Sequence, residues 1–203
     1  MVRSETFIYR VNDNIYINLT NRCPCACTFC IRQNGDGAYG SDSLWLSREP
    51  SADEVLERIA VTDLRGISEF VFCGYGEPME RADDVAYIGK KLREKYGLPV
   101  RLNTNGLSDL INGKETAPTL RDAVDIVSIS LNSGDEDYYL RVTRPKFGKG
   151  SFRAMLDFAS ECKKYVPKVM FTVVDVISER EISLAKDISE KLGIPLRIRK
   201  YDS

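Results

Sequence analysis

The sequence predicts an α/β fold in which a parallel sheet carries its helices on the outside, built as an open, partial (β/α)6 barrel. Three observations carry that reading. Strand and helix signals alternate along the chain in about six βα steps. The length is 203 residues, and a closed eight-unit barrel takes about 250. Each notable cluster of Cys, Gly and Asn follows a strand, where parallel α/β folds place their sites.

The elements follow in order. Residues 6–11 (TFIYRV) and 15–20 (IYINLT) flank the turn signal Asn12-Asp13-Asn14 and are expected to pair as a hairpin. The whole chain, 1–203, is expected to form one domain, with 1–14 as an N-terminal strand extension and 15–203 as the partial barrel. After four clustered cysteines comes a polar, Gly-rich stretch, 33–43. Ser51 is expected to cap a helix over 52–61, with Glu54 completing a capping box. Strand 69–73 leads through a Gly-rich turn to helix 82–96, closed by Gly97 and Pro99. Strand 100–104 ends at Asn105-Gly106, a short helix covers 118–123, and strand 126–131 ends at Asn132-Ser133-Gly134. Helical segments are expected near 135–141 and 151–165, then strand 168–176, helix 178–192 and a last strand, 195–201.

Composition narrows the chemistry. Lys plus Arg number 29 and Asp plus Glu 30, so no basic surface points to nucleic acid. No apolar stretch is long enough to span a membrane, and the N-terminus lacks a signal-peptide core, so a cytoplasmic location is expected. There is no histidine, which removes the usual hydrolase triads and the commonest zinc ligand.

Of six cysteines, four lie within eight residues: Cys23, Cys25, Cys27 and Cys30. A disulfide framework would spread its cysteines, whereas crowding points to a metal. Cys23, Cys27 and Cys30 have the spacing C-x3-C-x2-C, which lets three thiolates on one loop hold three irons of a [4Fe–4S] cube. Cys25 is expected to be a bystander that points away. The competing reading is a structural zinc site using all four cysteines, which are cramped for a tetrahedron and have no second knuckle. Cys73 and Cys162 read as small buried hydrophobes.

That cysteine spacing, placed just after a first strand, resembles the radical S-adenosylmethionine (AdoMet) superfamily. The resemblance implies a TIM-like partial barrel. It also implies a [4Fe–4S] cluster whose fourth iron binds AdoMet, and reductive cleavage to methionine and a 5′-deoxyadenosyl radical that abstracts hydrogen. It assigns further residues. Gly74-Tyr75-Gly76-Glu77-Pro78 resembles the family's Gly-Gly-Glu-Pro turn, with a backbone carbonyl and Glu77 receiving the AdoMet ammonium. Tyr75 departs from that pattern. Phe29 matches the aromatic position near adenine. Ser130 and Asn132 match ribose contacts or, alternatively, a satisfied strand end. Arg141 either pairs with the AdoMet carboxylate or is a surface arginine. Asn105 is a turn residue or a cavity contact.

NLTNRCPCACTFCIR, LWL…EPS, FCGYGEP, NTNG and RVTRPKFG together resemble the short TatD-linked radical AdoMet proteins over about residues 15–200. Size and class also resemble a queuine lyase, which implies cleavage of a C–N bond in queuine to release preQ1 in queuosine salvage. A deazaguanine ring and a diol would draw on Tyr39, Trp45, Arg48, Asn103, Asp175, Arg199 and Tyr201. Trp45 reads first as a hydrophobic anchor for its loop, and Arg197, Arg199 and Tyr201 alternatively as a solvated sheet edge. The electron donor expected for the class is a flavodoxin or ferredoxin. Two other functions compete: an activase that makes a glycyl radical on a partner protein, and a non-catalytic zinc or iron–sulfur module.

Overall fold

The computed structural model describes residues 2–200. Its strands are β1 (Ile8–Val11), β2 (Asn14–Ile17), β3 (Glu69–Phe72), β4 (Val100–Thr104), β5 (Ile126–Ser130), β6 (Lys168–Val174) and β7 (Leu196–Arg199). They form one sheet in sequence order, with β1 antiparallel to β2 and every later pair parallel. Six parallel strands and an antiparallel extension make the open partial barrel that the alternation predicted. The hairpin turn is tighter than expected: Asn14 belongs to β2, and Asn12 takes the left-handed conformation at φ 51°.

The helices are α1 (Ala52–Ala60), α2 (Ala82–Tyr96), α3 (Ser108–Asn112), α4 (Glu136–Thr143), α5 (Ser151–Cys162) and α6 (Glu179–Leu192). Ser51 and Glu54 form the capping box at the start of α1. Gly97 ends α2 at φ 66°, a conformation that suits a residue without Cβ. Two details differ from expectation. The segment expected as a helix at 118–123 is a single tight turn, Ala117–Leu120, which Pro118 starts. The helix itself comes earlier, as α3, whose five residues are too few for a periodicity signal.

Alternation along each strand separates two environments. On β4, Val100, Leu102 and Thr104 are buried, while Arg101 and Asn103 are partly open. The first set faces the helices. Phe70, Phe72, Leu102, Val127, Ile129 and Phe171 form a fully buried layer there, with Ile88, Met155 and Phe158 from the helices. The second set faces the barrel interior, where Asn103 lies beside Ser128 and Ser130 beside Thr172. Among the described residues, no helix is long and apolar enough to cross a membrane.

Candidate active site

The cysteine loop follows β2 and is held from three sides. From the last turn of α4, the Thr143 carbonyl accepts from Ala26 N–H at 3.0 Å, and Val142 from Thr28 at 2.8 Å. Lys146 N–H returns a bond to the Pro24 carbonyl at 2.8 Å. The RVTRPKF segment is therefore a brace for the cysteines. Arg22 pairs with Glu49 at 2.8 Å and Glu80 at 3.3 Å. The third support is the turn after β3, where Glu77 N–H donates to the Arg22 carbonyl at 2.8 Å.

That turn explains its glycines. A Cβ on Gly76 would stand 2.2 Å from the Thr20 carbonyl oxygen, and one on Gly74 would stand 2.1 Å from Asn18 Oδ1. Both positions exclude a side chain, because the turn lies directly on the end of β2. Tyr75 points the other way. Its hydroxyl donates toward the Gly35 and Gly37 carbonyls, each at 2.9 Å, and pins the Gly-rich loop. Trp45 packs edge-on against its ring at 5.1 Å. The departure from a second glycine thus fastens the loop over the site.

Glu77 is 4% exposed. Its carboxylate accepts from Met79 N–H (3.1 Å), Thr104 Oγ1 (2.7 Å) and Asn105 N–H (2.7 Å), and so ties the end of β3 to the end of β4. Burial, with the charge of Cys23 second, pushes its carboxyl up to about 8, against the pull of those three donors.

Cys23, Cys25, Cys27, Cys30 and Phe29 line a cavity of about 230 Å³. Cys25 does not point away as expected. It is buried against the Cys23 and Cys27 thiols, because the chain folds back to pair with Pro145 at that residue. Its thiol hydrogen bonds lower the pKa of both Cys23 and Cys27, favouring the thiolate form that binds metal. Burial raises that of Cys30. Asn105 Nδ2 reaches Cys23 Sγ at 4.0 Å and Cys25 Sγ at 3.9 Å. Three thiolates spread over one loop beside an open cavity fit a cube, whose ligands sit on different irons.

A second cavity, of about 790 Å³, runs down the inner face of the sheet. The two share Tyr16, Tyr39, Cys73, Asn103, Asn105, Ser130, Arg199 and Lys200. Of the residues singled out from sequence, Phe29, Gly74, Tyr75 and Asn132 line the small cavity alone. Gly76 and Glu77 line the large one alone. Tyr39, Asn103, Asn105, Ser130 and Arg199 line both.

Four expected residues lie elsewhere. Trp45 packs in a satellite apolar cluster with Tyr9, Leu44 and Tyr75. Arg48 is exposed and pairs with Glu5 and Glu54. Arg141 is exposed on α4 with its guanidinium over the Tyr138 ring at 5.3 Å. Asp175 is exposed past the end of β6. Tyr201 lies outside the described residues. Sequence reasoning passed over Arg101, Glu69 and Tyr16, although alternation with Asn103 marks Arg101, and alternation with Cys73 marks Glu69, for the inner face. Cys73, read as a plain hydrophobe, lines both cavities beside Asn103.

An open parallel barrel with a three-cysteine loop above a cavity at its strand ends defines the class of AdoMet-dependent iron–sulfur enzymes. The chain belongs to the radical SAM superfamily, whose family model matches residues 17–188. It is a radical SAM enzyme, and that family's cofactors are a [4Fe–4S] cluster and AdoMet. It is 28% identical over 167 residues to a GTP 3',8-cyclase of Lactiplantibacillus plantarum, covering 81% of this chain and 46% of that protein. A probable GTP 3',8-cyclase of Thermococcus kodakarensis is 29% identical, covering 94% and 57%. The chain thus spans about half the length of the curated relatives it matches. Streptococcus suis SuiB, solved with S-adenosylmethionine, shares the fold at a TM-score of 0.66 and 16% identity, covering 95% of this chain and 40% of that one. Methylornithine synthase (PylB) does so at 0.63 and 17%, covering 95% and 54%.

Proposed function

We propose that Cys23, Cys27 and Cys30 hold the cluster, and that the chain acts on a small molecule in the large cavity. The observation that carries this is the continuity of the two cavities through Asn103, Asn105 and Ser130. When bound, the cluster and AdoMet supply a 5′-deoxyadenosyl radical. Phe29, Asn132, Ser130 and the backbone of Gly74–Gly76 then bound the AdoMet space, and Glu77 fixes the turn that shapes it. Tyr39, Asn103 and Arg199 face the substrate.

Two substrates are to be tried. Queuine, with C–N cleavage to preQ1, follows from the sequence resemblance. GTP follows from the names of the curated relatives. Both present a guanine-like ring, whose donors and acceptors suit Asn103, Ser128 and Ser130.

The test is anaerobic reconstitution with iron and sulfide, then AdoMet and a strong reductant (or a reduced flavodoxin or ferredoxin), with 5′-deoxyadenosine measured. Stimulation by queuine with release of preQ1 supports the lyase, and stimulation by GTP supports a nucleotide substrate. If neither stimulates, both substrates fall and the class stands. A fully loaded protein that forms no 5′-deoxyadenosine contradicts the assigned chemistry.

A further inference from the structure

The inner face of the sheet is polar but not evenly charged. Arg101, Arg197, Arg199 and Lys200 line the large cavity, against only two carboxylates, Glu69 and Glu77. Glu77 is already committed to Met79, Thr104 and Asn105. Glu69 takes one arm of Arg101, at 2.6 Å from Nη2. Tyr16 lines the same cavity, and its pKa is raised mainly by burial, with Arg101 pulling the other way. A positive excess therefore remains along this cavity, with Arg101 deep in it and Arg197, Arg199 and Lys200 on its exposed edge.

Two orphaned atoms fall on the same face. Among the described residues, Arg101 Nε and Asn103 Oδ1 are buried without a hydrogen-bond partner. Buried polar groups normally meet a protein, water or ligand partner, and these two atoms lie on residues that line the large cavity. The third orphan, Asn18 Oδ1, lies against Gly74 and lines neither cavity. The Arg101 side chain is 13% exposed, and it opens onto the cavity. Guanidinium offers five donors in a fork that suits carboxylate and phosphate.

Strand geometry gives the scale. Arg101 and Asn103 share one face of β4, and Asn105, the residue after that strand, reaches the cysteine loop. Arg101 thus lies about 13 Å along the chain from Asn105, at roughly 3.3 Å per residue. A substrate anchored at Arg101 extends upward past Asn103 toward the AdoMet space.

We infer that the large cavity takes an anionic small molecule, bearing a phosphate or carboxylate that Arg101 grips with Arg197 in support, and a donor group that meets Asn103. This rests on the proposed function, since it names the substrate class of that same site. It favours a phosphorylated or carboxylated ring over queuine, which carries no acidic group.

The experiment is equilibrium binding to the reconstituted, AdoMet-loaded protein with two matched pairs of probes. GMP against guanosine reads phosphate, and orotate against uracil reads carboxylate. At least one anion binds about tenfold or more tightly than its neutral partner, and the preferred pair identifies the group. Arg101→Gln removes most of that preference, whereas Arg153→Gln, at an exposed site paired with Asp157, leaves it intact. Glu69→Gln frees the guanidinium and tightens anion binding. A merely structural Arg101–Glu69 pair would instead weaken it.

Equal binding within both pairs, binding of no probe, an unchanged preference in Arg101→Gln, or weaker anion binding in Glu69→Gln overturns the inference. Formation of 5′-deoxyadenosine, followed in parallel, reports separately on the chemistry. Its loss in the wild-type protein with the anion preference intact would sink the proposed function and leave this site standing.

Discussion

The two faces of the one sheet do different work. The outer face carries Phe70, Phe72, Leu102, Val127 and Phe171, each fully buried under the helices. The inner face carries Glu69, Arg101, Asn103, Ser128, Ser130 and Thr172 around a cavity. Both sets come from the same strands, one residue apart. Stability is concentrated on the first face and ligand chemistry on the second, so substitutions at adjacent positions should affect different measurements.

The largest expected effect is on the cysteine loop that closes the inner face. Cys27→Ala should abolish 5′-deoxyadenosine formation and lower iron bound per chain. The melting temperature of the cluster-free chain should change little, because the loop braces run through the backbone of Ala26 and Thr28. Full activity in that variant would refute the ligand assignment. On the outer face, Phe72→Ala should cost about 3–5 kcal/mol in urea denaturation, from lost burial and the cavity left behind. A loss below about 1 kcal/mol would mean the layer repacks or contributes less than its burial implies.

Glu77 stands where the faces meet, and it makes stability depend on pH. Its carboxyl is raised from 4.5 to about 8 in the folded chain. The unfolded chain therefore gives up this proton first, and the contribution, full below about pH 4.5, is lost as pH rises to about 8. Between pH 5 and 8 the urea midpoint of the cluster-free protein should fall more steeply than that of Glu77→Gln. Parallel curves would show that Glu77 is ionised across the range. The smallest effect belongs to the inner face. Ser128→Ala should shift stability by about 0.5 kcal/mol or less, since no core packing is lost. A loss as large as that of Phe72→Ala would erase the division between the faces.

The sequence made much of this legible, for physical reasons. Ser51 with Glu54, and Gly97 after Tyr96, are local signals that hold whatever packs around them. The cysteine spacing and the turn Gly74–Pro78 depend only on chain-neighbour geometry and were read directly. Arg101 and Glu69 were harder. Alternation puts them inward, but a charged residue in a strand reads first as solvated, and only the sheet register joins β3 to β4. Cys25 was misplaced because its burial depends on Pro145, far along the chain. Arg48 and Arg141 were chosen for their chemistry, yet local partners hold them at the surface: Glu5 and Glu54 for the first, the Tyr138 ring for the second.

The central claim is that three cysteines hold a cluster whose fourth iron is open to AdoMet. The most direct measurement is electron paramagnetic resonance of the reconstituted, reduced protein, recorded anaerobically with and without AdoMet. The account expects a reduced [4Fe–4S] signal that changes on adding AdoMet and is missing from Cys27→Ala. A signal that AdoMet leaves unchanged, or one that survives intact in Cys27→Ala, would contradict it.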